Sequence, residues 1–152
     1  MSKRIASRLP GSAGFTLVEL MVVVVIASVL VSIAIPTYIN EVRKSRRTEA
    51  KTALLDLAGR EERFYNTNNT YSSTPSDLGY GAVAAAFPMT VGSGYYRVNV
   101  AFTAAVGAVP GTYTITAVPI SVDQIKDAQC QQFQLTNTGV QTSTPNTTAC
   151  WQ

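Results

Sequence analysis

Residues 15–35, FTLVELMVVVVIASVLVSIAI, form an apolar run that a small compact domain has no room to bury. As a helix rising ~1.5 Å per residue, the run just spans the ~30 Å hydrocarbon core of a bilayer. Its one charge is Glu19, and none follows from Leu20 to Ile35. Pro36 comes next, lacks a backbone donor, and is expected to kink or locally loosen the helix. A carboxylate at mid-bilayer costs roughly 2.5–3.5 kcal/mol, less near an interface. Valine at position 19 would therefore suit an isolated span better, and the glutamate needs a partner.

The span itself offers none, because no Lys or Arg lies between Phe15 and Tyr38. Cleavage after Gly14 would create one: the α-amino group of Phe15, one helical turn from Glu19. Two such charges at about 4 Å attract by about 4 kcal/mol at an effective dielectric near 20, comparable with the burial cost. The amine can come from the same chain, helped by the helix dipole, or from a neighbouring chain. Only the second arrangement would fix a stagger between identical helices. Two plainer readings compete: a secretory signal cut at Ser32-Ile33-Ala34, and an uncleaved anchor. The run exceeds the usual ~7–15-residue signal core, and neither reading uses Glu19. Lys3, Arg4 and Arg8 precede the span while Arg43, Lys44, Arg46 and Arg47 follow it, so the positive-inside rule leaves orientation undecided.

Beyond Pro36 the helical pattern resumes. Ala50, Ala53, Leu54, Leu57, Ala58, Glu61, Phe64 and Tyr65 recur at three- and four-residue spacings, and all but Glu61 make an apolar stripe. The pattern predicts one helix from about Phe15 to about Tyr65, apolar all round at first and amphipathic later. NTNNTYSSTPSD (66–77) is a loop by composition, and 79–94 is mainly connection. Strand patterns follow at Tyr95–Phe102, Thr112–Val118 and Gln131–Leu135, with Val140–Ser143 as a weak fourth and Asn137-Thr138-Gly139 as a turn. Helix first and strands afterwards give an α+β class: a long helix whose second half packs on a small antiparallel sheet.

Charge is uneven too. The net charge is +3, yet without Lys3, Arg4 and Arg8 nine basic residues face nine acidic ones. Sequence-independent DNA binding needs several phosphate-neutralising side chains, and beyond Phe64 only Arg97 and Lys126 remain. DNA is therefore not an expected partner. Arg43, Lys44, Arg46, Arg47 and Lys51 form the one dense basic cluster, placed where lipid headgroups or subunit packing account for it equally well. Cys130 and Cys150 suit a disulfide in an oxidising compartment, which favours a head outside the cytoplasm; a bridge would contribute on the order of 3 kcal/mol. No His, no spaced metal-ligand set and no glycine-rich phosphate loop is present, so neither enzymatic activity nor a cofactor or metal is expected. Glu61-Glu62, beside Arg60 and Arg63, reads as a solvated helix face. Asn68-Asn69-Thr70 and Asn146-Thr147-Thr148 match a glycosylation acceptor pattern that is frequent by chance in such a chain.

A short basic leader ending in Gly14, then Phe15-Thr16-Leu17-Val18-Glu19, an apolar helix and Pro36, resembles a type IVa prepilin. The resemblance runs to about Ser73 and resumes at Cys130 and Cys150, which match the disulfide-bounded loop of such pilins. It implies a leader (1–14), a transmembrane and assembly helix (15–36) and a globular head (37–152). It implies cleavage after Gly14 by a prepilin peptidase, N-methylation of Phe15, and neutralisation of a neighbouring subunit's amine by Glu19. Pro36 matches the proline near which pilin helices loosen in filaments. AKTALLDLAGREERFYNTNNTYSS and Cys150-Trp151 look most like PilE-like minor pilins. The partners implied are other pilin subunits, the inner-membrane assembly machinery, the peptidase and membrane lipid. The implied locations are the inner membrane, with the head periplasmic, and then the surface pilus. Motility, adhesion and DNA uptake are the implied roles. A major pilin, a DNA-uptake pilin, which the near-neutral head fits less well, a type II secretion pseudopilin, which the cysteine loop fits less well, and an exported periplasmic binding domain are the alternatives.

Overall fold

The computed structural model describes residues 14–81 and 86–151, which fall into two units, one reaching Ile39 and one starting at Asn40. The expected leader lies outside the described residues except for Gly14. Helix α1 spans Leu17–Asn68, with Pro36 inside it.

In the second unit a five-stranded antiparallel sheet follows in simple meander order: β1 (Met89–Val91), β2 (Tyr96–Thr103), β3 (Thr112–Pro119), β4 (Cys130–Thr136) and β5 (Gln141–Pro145). Two short helices flank β4 and β5: α2 (Val122–Ile125) after β3, and α3 (Thr147–Trp151) at the end. Strand alternation sets the buried face. Tyr96, Val98 and Val100 of β2 point inward, as do Tyr113, Ile115 and Ala117 of β3 and Phe133 and Leu135 of β4. The register aligns them across the sheet, with Val98 opposite Ala117, Val100 opposite Ile115, and Ile115 opposite Leu135. Ala50, Leu54 and Leu57 of α1 close the core from the other side.

The sequence pattern left β1 inside a connection. Three residues are too few to show alternation, and β1 is defined by its pairing with β2 across the turn at Gly92–Gly94. Gly92 (φ +54°) has a reason to be glycine beyond its dihedral: a side chain there would run into the carboxylate of Glu49, which accepts from the Ser93 amide. The turn at Asn137–Gly139 is as expected, with Gly139 at φ +75° donating to the Thr136 carbonyl. Cys130 and Cys150 are joined in a disulfide that ties β4 to α3, both cysteines being buried.

Glu61 corrects the expectation of a solvated face. It is fully buried, because the chain after α1 folds back over it. Its Oε2 accepts the Ser72 amide at 3.1 Å, while Oε1 is buried without a partner. Ser72 in turn donates to Asp77 and accepts from the Thr74 amide, so this carboxyl helps to fasten the loop to α1. Glu62, on the exposed side, accepts from the hydroxyls of Tyr71 and Tyr113.

Burial pushes the Glu61 carboxyl up to about 7, opposed by the Ser72 amide and reinforced by the charge of Glu62. The folded chain thus holds this proton more tightly than the unfolded chain. Its stabilising contribution is complete below pH ~4.5 and is lost as pH rises to ~7, a total of roughly 3 kcal/mol. Urea unfolding of the detergent-solubilised chain should show lower stability at pH 8 than at pH 5. Glu61→Gln, which keeps an acceptor for Ser72, should flatten that difference. An unchanged pH slope in the variant would mean that another group titrates.

Candidate functional site

The first unit presents a candidate assembly site in its helix start. Gly14 and Phe15 are exposed, Phe15 at 76%. Thr16 immediately precedes α1, and its Oγ1 accepts the Glu19 amide at 3.2 Å, while its carbonyl accepts the Leu20 amide. Thr16 is therefore the helix N-cap, and Glu19 stands three residues later, where a capping box places an acidic side chain. The Thr-x-x-Glu spacing is a sequence signal that the charge argument passed over.

This cap gives Glu19 a competing local role, and magnitudes separate the two. A carboxylate in the first helical turn gains about 0.3–1 kcal/mol from the dipole. That offsets only part of the roughly 2.5–3.5 kcal/mol cost of an acidic side chain at depth. A capping aspartate or serine outside the run would serve the helix at lower cost. Local capping thus meets only part of that cost, which is smaller near an interface.

Every large apolar side chain from Leu17 to Ile35 is at least half exposed, on all faces of the helix. A helix apolar all round needs an apolar surrounding. Burying each Val, Leu or Ile is worth about 1.5–3 kcal/mol, so the unmet stabilisation along this segment is large. The two serines in the run do not break it, since Ser28 and Ser32 donate to the Val25 and Val29 carbonyls one turn back.

In the second unit the basic cluster is divided by its contacts. Arg47 makes a two-pronged ion pair with Asp127, both bonds at 2.6 Å. Asp127 is buried and also accepts from Gln124 Nε2 and the Gln129 amide. Arg46 lies 3.9 Å from the centre of the Tyr95 ring. Arg43 and Lys44 instead line a polar cavity of about 310 Å³ with Lys126. A second cavity of about 400 Å³ is bordered by Arg60, Arg63 and Asp77. There Arg60 is engaged by Asp56, by the Leu78 and Gly79 carbonyls, and by stacking on Tyr80. Among the described residues no cluster of metal-ligating side chains occurs.

A family model described as "Type IV minor pilin ComP, DNA uptake sequence receptor" matches residues 36–134, and one described as "Prokaryotic N-terminal methylation motif" matches residues 9–35. The chain is 39% identical over 71 residues to the type IV major pilin protein PilA of Myxococcus xanthus (strain DK1622), covering 47% of this chain and 32% of that protein. It is 37% identical over 65 residues to the type II secretion system core protein G of Pectobacterium carotovorum subsp. carotovorum, covering 43% and 42%. The chain thus matches less than half the length of these curated relatives. Among solved structures, a type IV pilin from Shewanella oneidensis aligns at 23% identity and a TM-score of 0.49, over 72% of this chain and 98% of that one.

Proposed function

The chain belongs to the ComP family of type IV minor pilins, and from that premise we propose that it is a non-enzymatic structural subunit of a type IV pilus. In this reading it is cut after Gly14, methylated at Phe15, held in the inner membrane by its apolar helix, and packed by the same helix into the filament. One observation carries the reading: the segment 17–35 of α1 is exposed and apolar on all sides, and its sole carboxylate, Glu19, sits one turn from the expected new terminus. Glu19 would accept the amine of an adjacent subunit, and Pro36 would mark where the helix loosens on packing. The disulfide would hold the C-terminal loop of the head outside the cytoplasm, consistent with an oxidising compartment.

Surface filaments sheared from cells should contain peptides from the head, residues 40–152, at a level far below those of the abundant subunit. Recovery only as a soluble periplasmic protein would instead favour an exported binding domain.

The match over residues 36–134 favours a second reading, that the head contacts DNA. It stands against the charge argument, and the structure's own pairings of Arg46 and Arg47 reduce the free cations further. Engagement of two or three phosphates would give a log–log salt slope of about −2 to −3. Absence of duplex binding at low salt would remove this reading without touching the first.

A further inference from the structure

The cavity beside Arg47 differs from an ordinary basic surface in how its charges are arranged. Asp127 is fully committed to Arg47, Gln124 and Gln129, so it leaves Arg43, Lys44 and Lys126 uncompensated on the wall except for Glu41. Arg43 Nε is buried and meets no acceptor among the described residues. Three cations thus line one half-open cavity of about 310 Å³.

A second observation lies next to it. Helix α2 turns Gln124 inward, and Asp127 just after it is also buried, while Val122 and Ile125 are 68% and 51% exposed, adjoining the exposed Lys126. Apolar side chains beside a cationic pocket match the boundary layer of a bilayer, where hydrocarbon and phosphate lie side by side. Along a nucleic-acid backbone such side chains would gain nothing. By sequence, the first of these cations follows Ile35, the last residue of the apolar run, by eight positions.

We propose that this cavity seats the phosphate of an anionic lipid headgroup, held by Arg43, Lys44 and Lys126, with Val122 and Ile125 entering the interfacial layer beside it. The contact rests on the reading of the chain as membrane-held before assembly. It fastens the head to the leaflet surface while the subunit waits there.

Native mass spectrometry of the full detergent-solubilised chain, titrated with phosphatidylglycerol or phosphatidylcholine, tests this. One phosphatidylglycerol should be retained at least tenfold more tightly than phosphatidylcholine. Lys126→Gln, at an exposed position, should reduce that preference severalfold with an unchanged melting temperature, and adding Arg43→Gln should abolish it. Val122→Ser with Ile125→Ser should weaken lipid retention and leave inorganic phosphate binding unaltered. Equal retention of the two lipids would overturn the proposal. So would displacement of lipid by millimolar inorganic phosphate, by duplex DNA, or by a second copy of the chain using the same residues. Membrane anchoring is scored separately, by whether the chain stays with vesicles after a high-salt wash; its failure there would count against the pilin reading itself.

Discussion

Glu19→Val should leave membrane insertion and leader removal intact and lower incorporation into filaments by two to three orders of magnitude. The isolated span becomes more comfortable in lipid, since an acidic group costing up to roughly 3 kcal/mol at depth is gone. What is lost is an attraction of about 4 kcal/mol with an amine at ~4 Å. The N-cap at Thr16 provides the control. Glu19→Gln retains a side chain suited to the capping position and removes only the charge. If charge pairing governs assembly, Gln fails as Val does. Quantifying both variants in sheared filaments, against their levels in the inner membrane, gives the answer. Normal pili carrying Gln but not Val would make Glu19 a capping residue and sink the ion-pair account.

The second large effect lies in the head. Asp127→Ala strips the buried partner from Arg47, whose side chain is only 14% exposed, and leaves Gln124 and the Gln129 amide without their acceptor. Breaking one side of such a pair costs about 3–5 kcal/mol. For a head of this size, that lowers the melting temperature by roughly 10–20 °C. Arg47→Met combined with Asp127→Leu should cost much less, because no charge is left buried alone. A single Asp127→Ala variant that melts within 2 °C of the parent would show the pair to be solvated.

Much of this was legible in residue order, and the exceptions share a cause. Helical spacing placed Ala50, Leu54 and Leu57 on the core side, and strand alternation placed Val98 and Ile115 opposite them. Both signals are local. With two cysteines only one intrachain pairing exists, so the partners followed from arithmetic and the bond itself from the expected oxidising compartment. Glu61 fell on the apolar stripe by spacing, but its neighbours Arg60 and Arg63 made a solvated face the simpler choice. What buries it is the return of Tyr71 and Ser72 over α1, a tertiary event without a periodic signature. The Arg47–Asp127 pair joins residues eighty positions apart, and nothing in either local segment announces it. That pair, with the Arg46–Tyr95 stack, separates Arg46 and Arg47 from the cavity-lining Arg43 and Lys44 in one run of basic residues. Glu19 was conspicuous because a charge in an apolar run is costly, whereas its capping partner Thr16 was hidden by the same conspicuousness.

Processing of the chain as a prepilin stands or falls with its mature N-terminus. Intact mass and N-terminal sequencing of the protein from native membranes should give a chain beginning at N-methylated Phe15. A chain beginning at Ile35, after Ala34, would contradict the account. It would mean an exported domain that had discarded Glu19 with its signal.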